Sequence, residues 1–152
     1  MIIKLLAMGN VLMSDDGIAI YLAGILEEKL CKIGIEVIYG ETDIGYCISQ
    51  IQEGDYIILM DASDLGKTPG EITLLSFDEI TAKDKDITQH CVSFLDLLKL
   101  YFPMNDGIVI TVQIAYIGLQ YGLSKQLKGN ISEIAQELFK QVSNVKYSIE
   151  IS

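Results

Sequence analysis

Residues 8–17 have the sequence Met8-Gly9-Asn10-Val11-Leu12-Met13-Ser14-Asp15-Asp16-Gly17. The apolar run Ile2–Leu6 precedes them and predicts a buried strand, and apolar residues at helical spacing follow from Ile18 to Leu30. The two acids of this stretch therefore lie where a strand ends and a helix begins. Because open α/β sheets bind ligands at the carboxyl ends of their strands, this junction is a candidate functional site.

Five apolar runs along the chain predict strands, and their nearly continuous hydrophobicity indicates burial on both faces of a sheet. The runs are Ile2–Ala7, Glu36–Tyr39, Tyr56–Met60, Ile72–Leu75 and Ile108–Ile114. Helical patterns occupy residues 17–31, 44–53, 90–101 and 130–143. Asn130 is the expected N-cap of the last helix. The tail Val145–Ile151 alternates apolar and polar residues, which is typical of a short edge strand.

This alternation of strands and helices predicts an α/β fold, in which a mostly parallel, twisted sheet of five strands lies between two layers of helices. We expect one three-layer α/β/α domain over residues 1–152. Residues 62–70 alone join the third and fourth strands, which is too short for a parallel crossover. The fourth strand is therefore expected to be antiparallel, after a turn at Thr68-Pro69-Gly70.

The composition limits the classes of function. The chain has 152 residues, with 21 acids, 11 basic residues and a formal charge of −10, which argues against binding nucleic acid through its phosphates. No apolar run approaches the roughly 18 residues that span a bilayer, and no basic leader precedes Gly9. Three cysteines without a C-x-x-C motif indicate free thiols. We expect a cytoplasmic monomer that neither binds nucleic acid nor inserts into a membrane.

Three side chains form the candidate site. Asp16 follows the first strand, Asp61 closes the third strand, and His90, the only histidine, opens the third helix. Two carboxylates and one imidazole suffice for a metal site. The loop Phe77–Gln89 must return His90 to the carboxyl edge, and its thirteen residues can span about 40 Å.

Each of these residues also has a structural interpretation. Ser14, Asp15 or Asp16 can cap the first helix. Asp61 can be a turn residue, and His90 can be structural behind an N-cap at Thr88.

Other chemistries receive less support from the sequence. Cys91 adjoins His90, but neighbouring residues on a helix do not face each other, and the chain has no second histidine to act as a base. The three cysteines are therefore interpreted as packing groups. Ser93 lacks a G-x-S-x-G context. No G-K-S/T follows Gly9, which argues against a phosphate loop and a nucleotide-binding domain.

The motifs resemble those of the nickel-iron hydrogenase maturation endopeptidases. Residues 9–17 are similar to the opening motif of that family, G-N-x-L/M-x-x-D-D/E-G/A between a strand and a helix. Asp61 matches its acid after an apolar strand, and His90 matches its histidine at a helix start. Residues 113–115 and 122–124 resemble its closing Q-P-x and G-L-S segments. The family usually has D-G-G-T after the second strand, whereas this chain has Tyr39-Gly40-Glu41-Thr42.

The resemblance implies a hydrolase that removes the C-terminal extension of a hydrogenase large-subunit precursor after nickel insertion. It implies that nickel, supplied by the precursor, is the recognition element, and that the same site would accept another divalent metal. Asp16, Asp61 and His90 would be the catalytic and metal-binding residues, and Gly40 and Thr42 would contact the substrate. The alternative is a non-catalytic metal- or precursor-binding maturation module of the same fold, which the altered turn at Glu41 favours.

Overall fold

The computed structural model describes residues 1–80 and 88–152, without the side chain of Gln89. Five strands and four α-helices follow in the order β1 (Ile3–Met8), α1 (Ile18–Lys32), β2 (Ile35–Glu41), α2 (Ile44–Ser49), β3 (Tyr56–Ser63), β4 (Ile72–Ser76), α3 (Gln89–Tyr101), β5 (Asp106–Gln113) and α4 (Lys125–Ile151) within the described residues. Short 3₁₀ turns lie at Ser14–Gly17 and Phe77–Glu79. Most of the loop predicted to return His90 lies outside the described residues.

The strands form one sheet in the order β2-β1-β3-β5-β4. β1 pairs in parallel with β2 and β3, and β3 pairs in parallel with β5. β4 pairs antiparallel with β5, as the short connection before it predicted. Glu71 N donates to Thr68 O at 2.9 Å, which closes the predicted turn. The predicted α/β fold class is confirmed.

Alternate side chains of the central strands pack into two separate cores. Leu5 and Ile58 face α1 and α4, whereas Leu6 and Leu59 face α2 and α3. Both faces of β1 and β3 are therefore buried, which explains why these strands are apolar at nearly every position. All four side chains are fully buried. Among the described residues, no helix is both long enough and apolar enough to cross a bilayer.

The last helix differs from the prediction at both ends. Its N-cap is Ser124 rather than Asn130, and the Ser124 hydroxyl accepts a hydrogen bond from Leu127 N at 3.3 Å. The helix also continues through Val145–Ile151, so the predicted edge strand is wrong. Leu127 is fully buried, and residues 145 and 149 pack on the core of α1 and α4. The helical period thus extends beyond both predicted ends, and it outweighs the alternation of the tail.

Candidate active site

Asp16 lies in the 3₁₀ turn between β1 and α1, where its half-buried carboxylate meets the preceding loop. Asn10 N donates to Asp16 Oδ2 at 2.9 Å. Gly9 has φ +133°, and a Cβ there would lie 2.2 Å from the carbonyl oxygen of Asp16. The loop can therefore close around the acid only with glycine at position 9. The N-cap of α1 is Gly17, without a side-chain capping bond, so the capping interpretation of the acids is wrong.

Asp15 has hydrogen-bond partners different from those of Asp16. Its buried carboxylate accepts hydrogen bonds from Ala115 N and Tyr116 N, both at 2.9 Å, and from Ser124 N at 2.7 Å. These three bonds tie the loop between β5 and α4 to the loop after β1. Asp15 is thus a structural anchor between two segments about 100 residues apart in sequence.

Asp61 lies within β3, which continues three residues further than the predicted run, from Met60 to Ser63. The side chain is fully buried. Its Oδ1 accepts from Ala62 N at 2.7 Å. Its Oδ2 accepts from the Thr88 hydroxyl and, at 3.6 Å, from the Cys91 thiol. The start of α3 is therefore fastened directly to the acid of β3.

Burial raises the pKa of Asp61 to about 6, since the charged form is poorly solvated there. The hydrogen bonds from Thr88 and Ala62 counteract part of this effect. The charge of Asp16 raises the pKa further, and the charge of His90 lowers it. Asp16 and His90 are therefore close enough to Asp61 for their charges to act on one carboxyl group.

His90 is the second residue of α3 and is half-buried. The predicted N-cap is confirmed, because the Thr88 hydroxyl accepts from Cys91 N at 3.4 Å. Within residues 1–80 and 88–152, no three His, Cys, Asp or Glu side chains are arranged so that they could hold one metal ion. Asp16, Asp61 and His90 are thus not arranged to share one ion in this structure, and metal binding by these three residues stays a prediction.

The cysteines separate into two environments. Cys47 and Cys91 are buried, whereas Cys31 is exposed, so the packing interpretation is wrong for Cys31. Burial and the neighbouring charge of Asp61 raise the pKa of the Cys91 thiol far above its ordinary value. A thiolate, which is the nucleophilic form, is therefore disfavoured at position 91. The sequence had indicated only apolar neighbours for Cys91 and missed its contact with Asp61.

A crevice of about 180 Å³ adjoins the Asp16 loop, and its lining combines two segments: Gly9, Asn10, Val11, Leu12, Glu41 and Thr42. Thr42, predicted to contact substrate, belongs to this lining, whereas Gly40 does not. A Cβ at Gly40 would lie 2.2 Å from Cys47 Sγ, so this glycine allows α2 to approach β2. Substrate contact at both positions stays a prediction.

Glu41, on the wall of this crevice, has a strained backbone. Its φ is +52°, in the left-handed region that favours glycine. Its carbonyl oxygen accepts from Gly9 N at 2.9 Å, which holds the end of β2 against the end of β1. A non-glycine residue in this conformation costs about 1 kcal/mol. The backbone at position 41 thus has a conformation that suits glycine, the residue that the resembled D-G-G-T motif has where this chain has Glu41.

Sequence reasoning missed Gln113 as an organiser of the carboxyl edge. Its buried side chain accepts from Leu65 N at 2.7 Å and from Lys67 N at 3.2 Å, and it donates to Asp64 Oδ1 at 3.0 Å. Gln113 therefore fixes the loop after β3 to the end of β5. A polar residue that ends an apolar strand was the available signal.

With this geometry in place, the profile of the hydrogenase maturation protease family, of HycI type, matches residues 20–145. This chain belongs to the hydrogenase maturation protease family. The matched range begins after Asp16, so the opening motif adds support from outside it. The resemblance noted from the sequence is confirmed.

Individual relatives agree with this assignment. The hydrogenase 3 maturation protease of Escherichia coli K12 is 28% identical over 141 residues, which cover 88% of this chain and 86% of that protein. The hydrogenase expression/formation protein HoxM of Azotobacter vinelandii is 30% identical over 101 residues, 64% of this chain. The match covers only 49% of HoxM, so the chain spans about half the length of such relatives.

The hydrogenase maturation protease HybD from Thermococcus kodakarensis has a similar solved structure. The TM-score is 0.74 at 28% identity, over 93% of this chain and 99% of that one. The similarity supports the arrangement of the sheet and the helices around the candidate site.

Proposed function

We propose that this protein is a cytoplasmic endopeptidase that removes the C-terminal extension of a nickel-iron hydrogenase large-subunit precursor and acts as a monomer. Membership of the maturation protease family supports the reaction class. The observation that carries the proposal is the placement of Asp16 after β1, of Asp61 near the end of β3 and of His90 at the start of α3, which the Thr88–Asp61 hydrogen bond fastens to the carboxyl edge of the sheet. Ligands of α/β proteins bind at this edge.

Nickel in the precursor is, in this proposal, part of the substrate and the signal that the site recognises. Carboxylates and an imidazole are suitable nickel ligands. Asn10 N donates to one oxygen of Asp16, and among the described residues no protein donor contacts the other. Both oxygens of Asp61 have protein donors, but a carboxylate offers about four lone-pair sites. The chemical types of these donors, though not their arrangement in this structure, suit nickel or another divalent metal.

The three residues differ in what they offer to a substrate. Asp16 and His90 are half-buried and would meet the incoming peptide, whereas Asp61 is fully buried. A carboxyl group with a pKa of about 6 can hold or release a proton near neutral pH. Nickel bound by three protein groups would keep positions open for the scissile peptide or for water. Thr42, on the crevice wall, would contact the substrate polypeptide beside the scissile bond. Gly40 lies two residues before Thr42 and would support substrate binding through the turn that they share.

The test compares nickel-loaded and nickel-free large-subunit precursor incubated with the wild-type protein, with intact mass spectrometry to measure the loss of the extension. We expect cleavage of the nickel-loaded precursor alone. Inhibitors of serine and cysteine proteases should leave the rate unchanged, because no such nucleophile takes part. Equal cleavage of both precursors would reject nickel recognition while leaving peptidase activity in place.

A second function is a maturation module that binds the precursor or its metal without cleaving it. The left-handed Glu41 favours this alternative, because it places a carboxylate-bearing residue where the resembled motif has glycine. In the same experiment, this function predicts a stable complex with nickel-loaded precursor whose mass does not change. A Glu41→Gly variant that gained cleavage would show that this residue blocks the reaction.

A further inference from the structure

Two loops beside the candidate site expose a group of apolar side chains. The loops are residues 9–14 and 115–124, and five of their residues have large exposed apolar side chains: Leu12, Tyr116, Ile117, Leu119 and Tyr121. Leu119 is 90% exposed and Tyr121 is 76% exposed. Single exposed apolar residues are ordinary, but grouped ones mark interaction surfaces. We call these five residues the platform.

The platform is held rigidly by backbone hydrogen bonds between its two loops. Ser14 N donates to Gln120 O at 2.8 Å, and Gln120 N donates to Leu12 O at 3.2 Å. The three bonds to the Asp15 carboxylate fasten both ends of the second loop. The ring of Tyr116 lies over Gly118, where a Cβ would be 2.0 Å from the Tyr116 hydroxyl. Side chains on such a framework lose little backbone entropy when a partner binds.

The platform is also electrically neutral in a strongly acidic chain. Neither residues 8–14 nor residues 115–124 contain a charged side chain, although the chain carries a formal charge of −10. A neutral apolar surface fits an apolar, uncharged partner surface. The affinity of such a contact should depend only weakly on salt, in contrast to contacts between surface charges.

We propose that the platform docks an uncharged, apolar part of the large-subunit precursor, and this inference rests on the proposed function. Leu12 belongs both to the platform and to the wall of the crevice beside Asp16. A molecule bound to the platform therefore extends over the crevice. A polypeptide substrate has to occupy the same place to reach the candidate site. A second copy of this chain on the platform would cover the crevice, which is why the precursor is the occupant.

The experiment uses nickel-loaded large-subunit precursor as the probe and measures both its Kd, by surface plasmon resonance, and the KM and kcat of cleavage. The test variant is Leu119→Ser/Tyr121→Ser, and each single change is made as well. The control is Met104→Ser. Met104 is 83% exposed, but it precedes β5, whereas the platform follows the other end of that strand, about 25 Å away. Thermal unfolding checks that every variant is folded.

We expect the double variant to raise Kd and KM at least about tenfold, as loss of central apolar contacts does, with kcat nearly unchanged. The control should behave as wild type, and added salt should change the wild-type Kd little. Wild-type Kd and KM in the double variant, or a steep loss of affinity with salt, would overturn the proposal. So would a wild-type dimer in sedimentation equilibrium that the double variant abolishes.

The same data separate this inference from the proposed function. If the wild type binds precursor through the platform but never cleaves it, the docking surface stands and the peptidase function fails. If the wild type cleaves, and the double variant cleaves with the same KM, the peptidase function stands and the docking surface is refuted.

Discussion

The two ends of the parallel strands differ in how buried charges are paired. We call the end where these strands begin the amino edge and the end where they finish the carboxyl edge. At the amino edge, Lys4 Nζ lies 2.7 Å from Asp55 Oδ2, and both side chains are nearly fully buried. Lys4 also donates to Gln50 O at 2.7 Å, and Asp55 accepts from Gln52 N at 2.8 Å. At the carboxyl edge, Asp15 and Asp61 are buried with hydrogen-bond donors, but in the part of the chain that the structure describes neither forms a salt bridge.

Backbone strain follows the same division. Of the described residues other than glycine, Ser14 and Glu41 are the two with positive φ, and both lie at the carboxyl edge. The buried Ser14 hydroxyl also has no hydrogen-bond partner among the described residues. Strained backbone and incompletely satisfied polar groups persist at functional sites, where the surrounding structure holds them. The contrast supports the proposal that the carboxyl edge performs the function, whereas the amino edge maintains the fold.

The largest expected effect is on cleavage, through the residues of the carboxyl edge. Asp16→Asn and His90→Ala should each reduce cleavage of nickel-loaded precursor by more than about 100-fold, the upper range for loss of a supporting contact to a metal ligand. Because the two residues act as one unit, the double variant should be barely slower than either single one. Asp96→Asn, which alters an exposed acid on the same helix as His90, is the control. Full activity of His90→Ala would reject the assigned role.

The amino edge predicts the opposite pattern, a loss of stability without a loss of activity. Lys4→Met leaves Asp55 as an unpaired buried charge and should lower the free energy of unfolding by about 3 kcal/mol. Replacing both residues, as in Lys4→Met/Asp55→Leu, should restore much of the loss. Urea unfolding measures these changes, and the folded fraction of each variant should cleave at the wild-type rate. A folded Lys4→Met protein without activity would break the division between the two edges.

The next effect concerns pH and the buried carboxyl group of Asp61. Its folded pKa of about 6 lies above the ordinary 3.8, so the protonated form is favoured by folding. The associated stability is fully present below about pH 4 and is lost as the pH rises through 6, which corresponds to about 3 kcal/mol. Asp61→Asn should lack this decline. Denaturant unfolding of the metal-free proteins at pH 4 to 7.5 tests this, and parallel curves for the two proteins would refute it.

Much of the fold could be predicted from the sequence. Strands that are buried on both faces are apolar throughout, and a connection as short as the one before β4 excludes a parallel crossover. The start of α4 was missed because Gly122 and Gly129 interrupt the pattern around the capping Ser124. The roles of Asp15 and Asp16 could not be separated, since a 3₁₀ turn directs neighbouring side chains to different partners. The contact of Thr88 with Asp61 joins positions 27 residues apart and leaves no local signal.

The smallest expected effect compares two buried thiols. Cys91→Ala removes a weak hydrogen bond to Asp61, which is one of the proposed site residues. Cys47→Ala removes a thiol that packs against Gly40 instead. Each should lower the free energy of unfolding by about 1 kcal/mol, the typical cost of a core substitution. Neither should change cleavage of nickel-loaded precursor by more than a few-fold, because the raised pKa keeps the Cys91 thiol protonated. If Cys91→Ala alone abolished cleavage while folded and Cys47→Ala did not, the nucleophile would be the thiol, and the carboxyl edge would work by covalent catalysis.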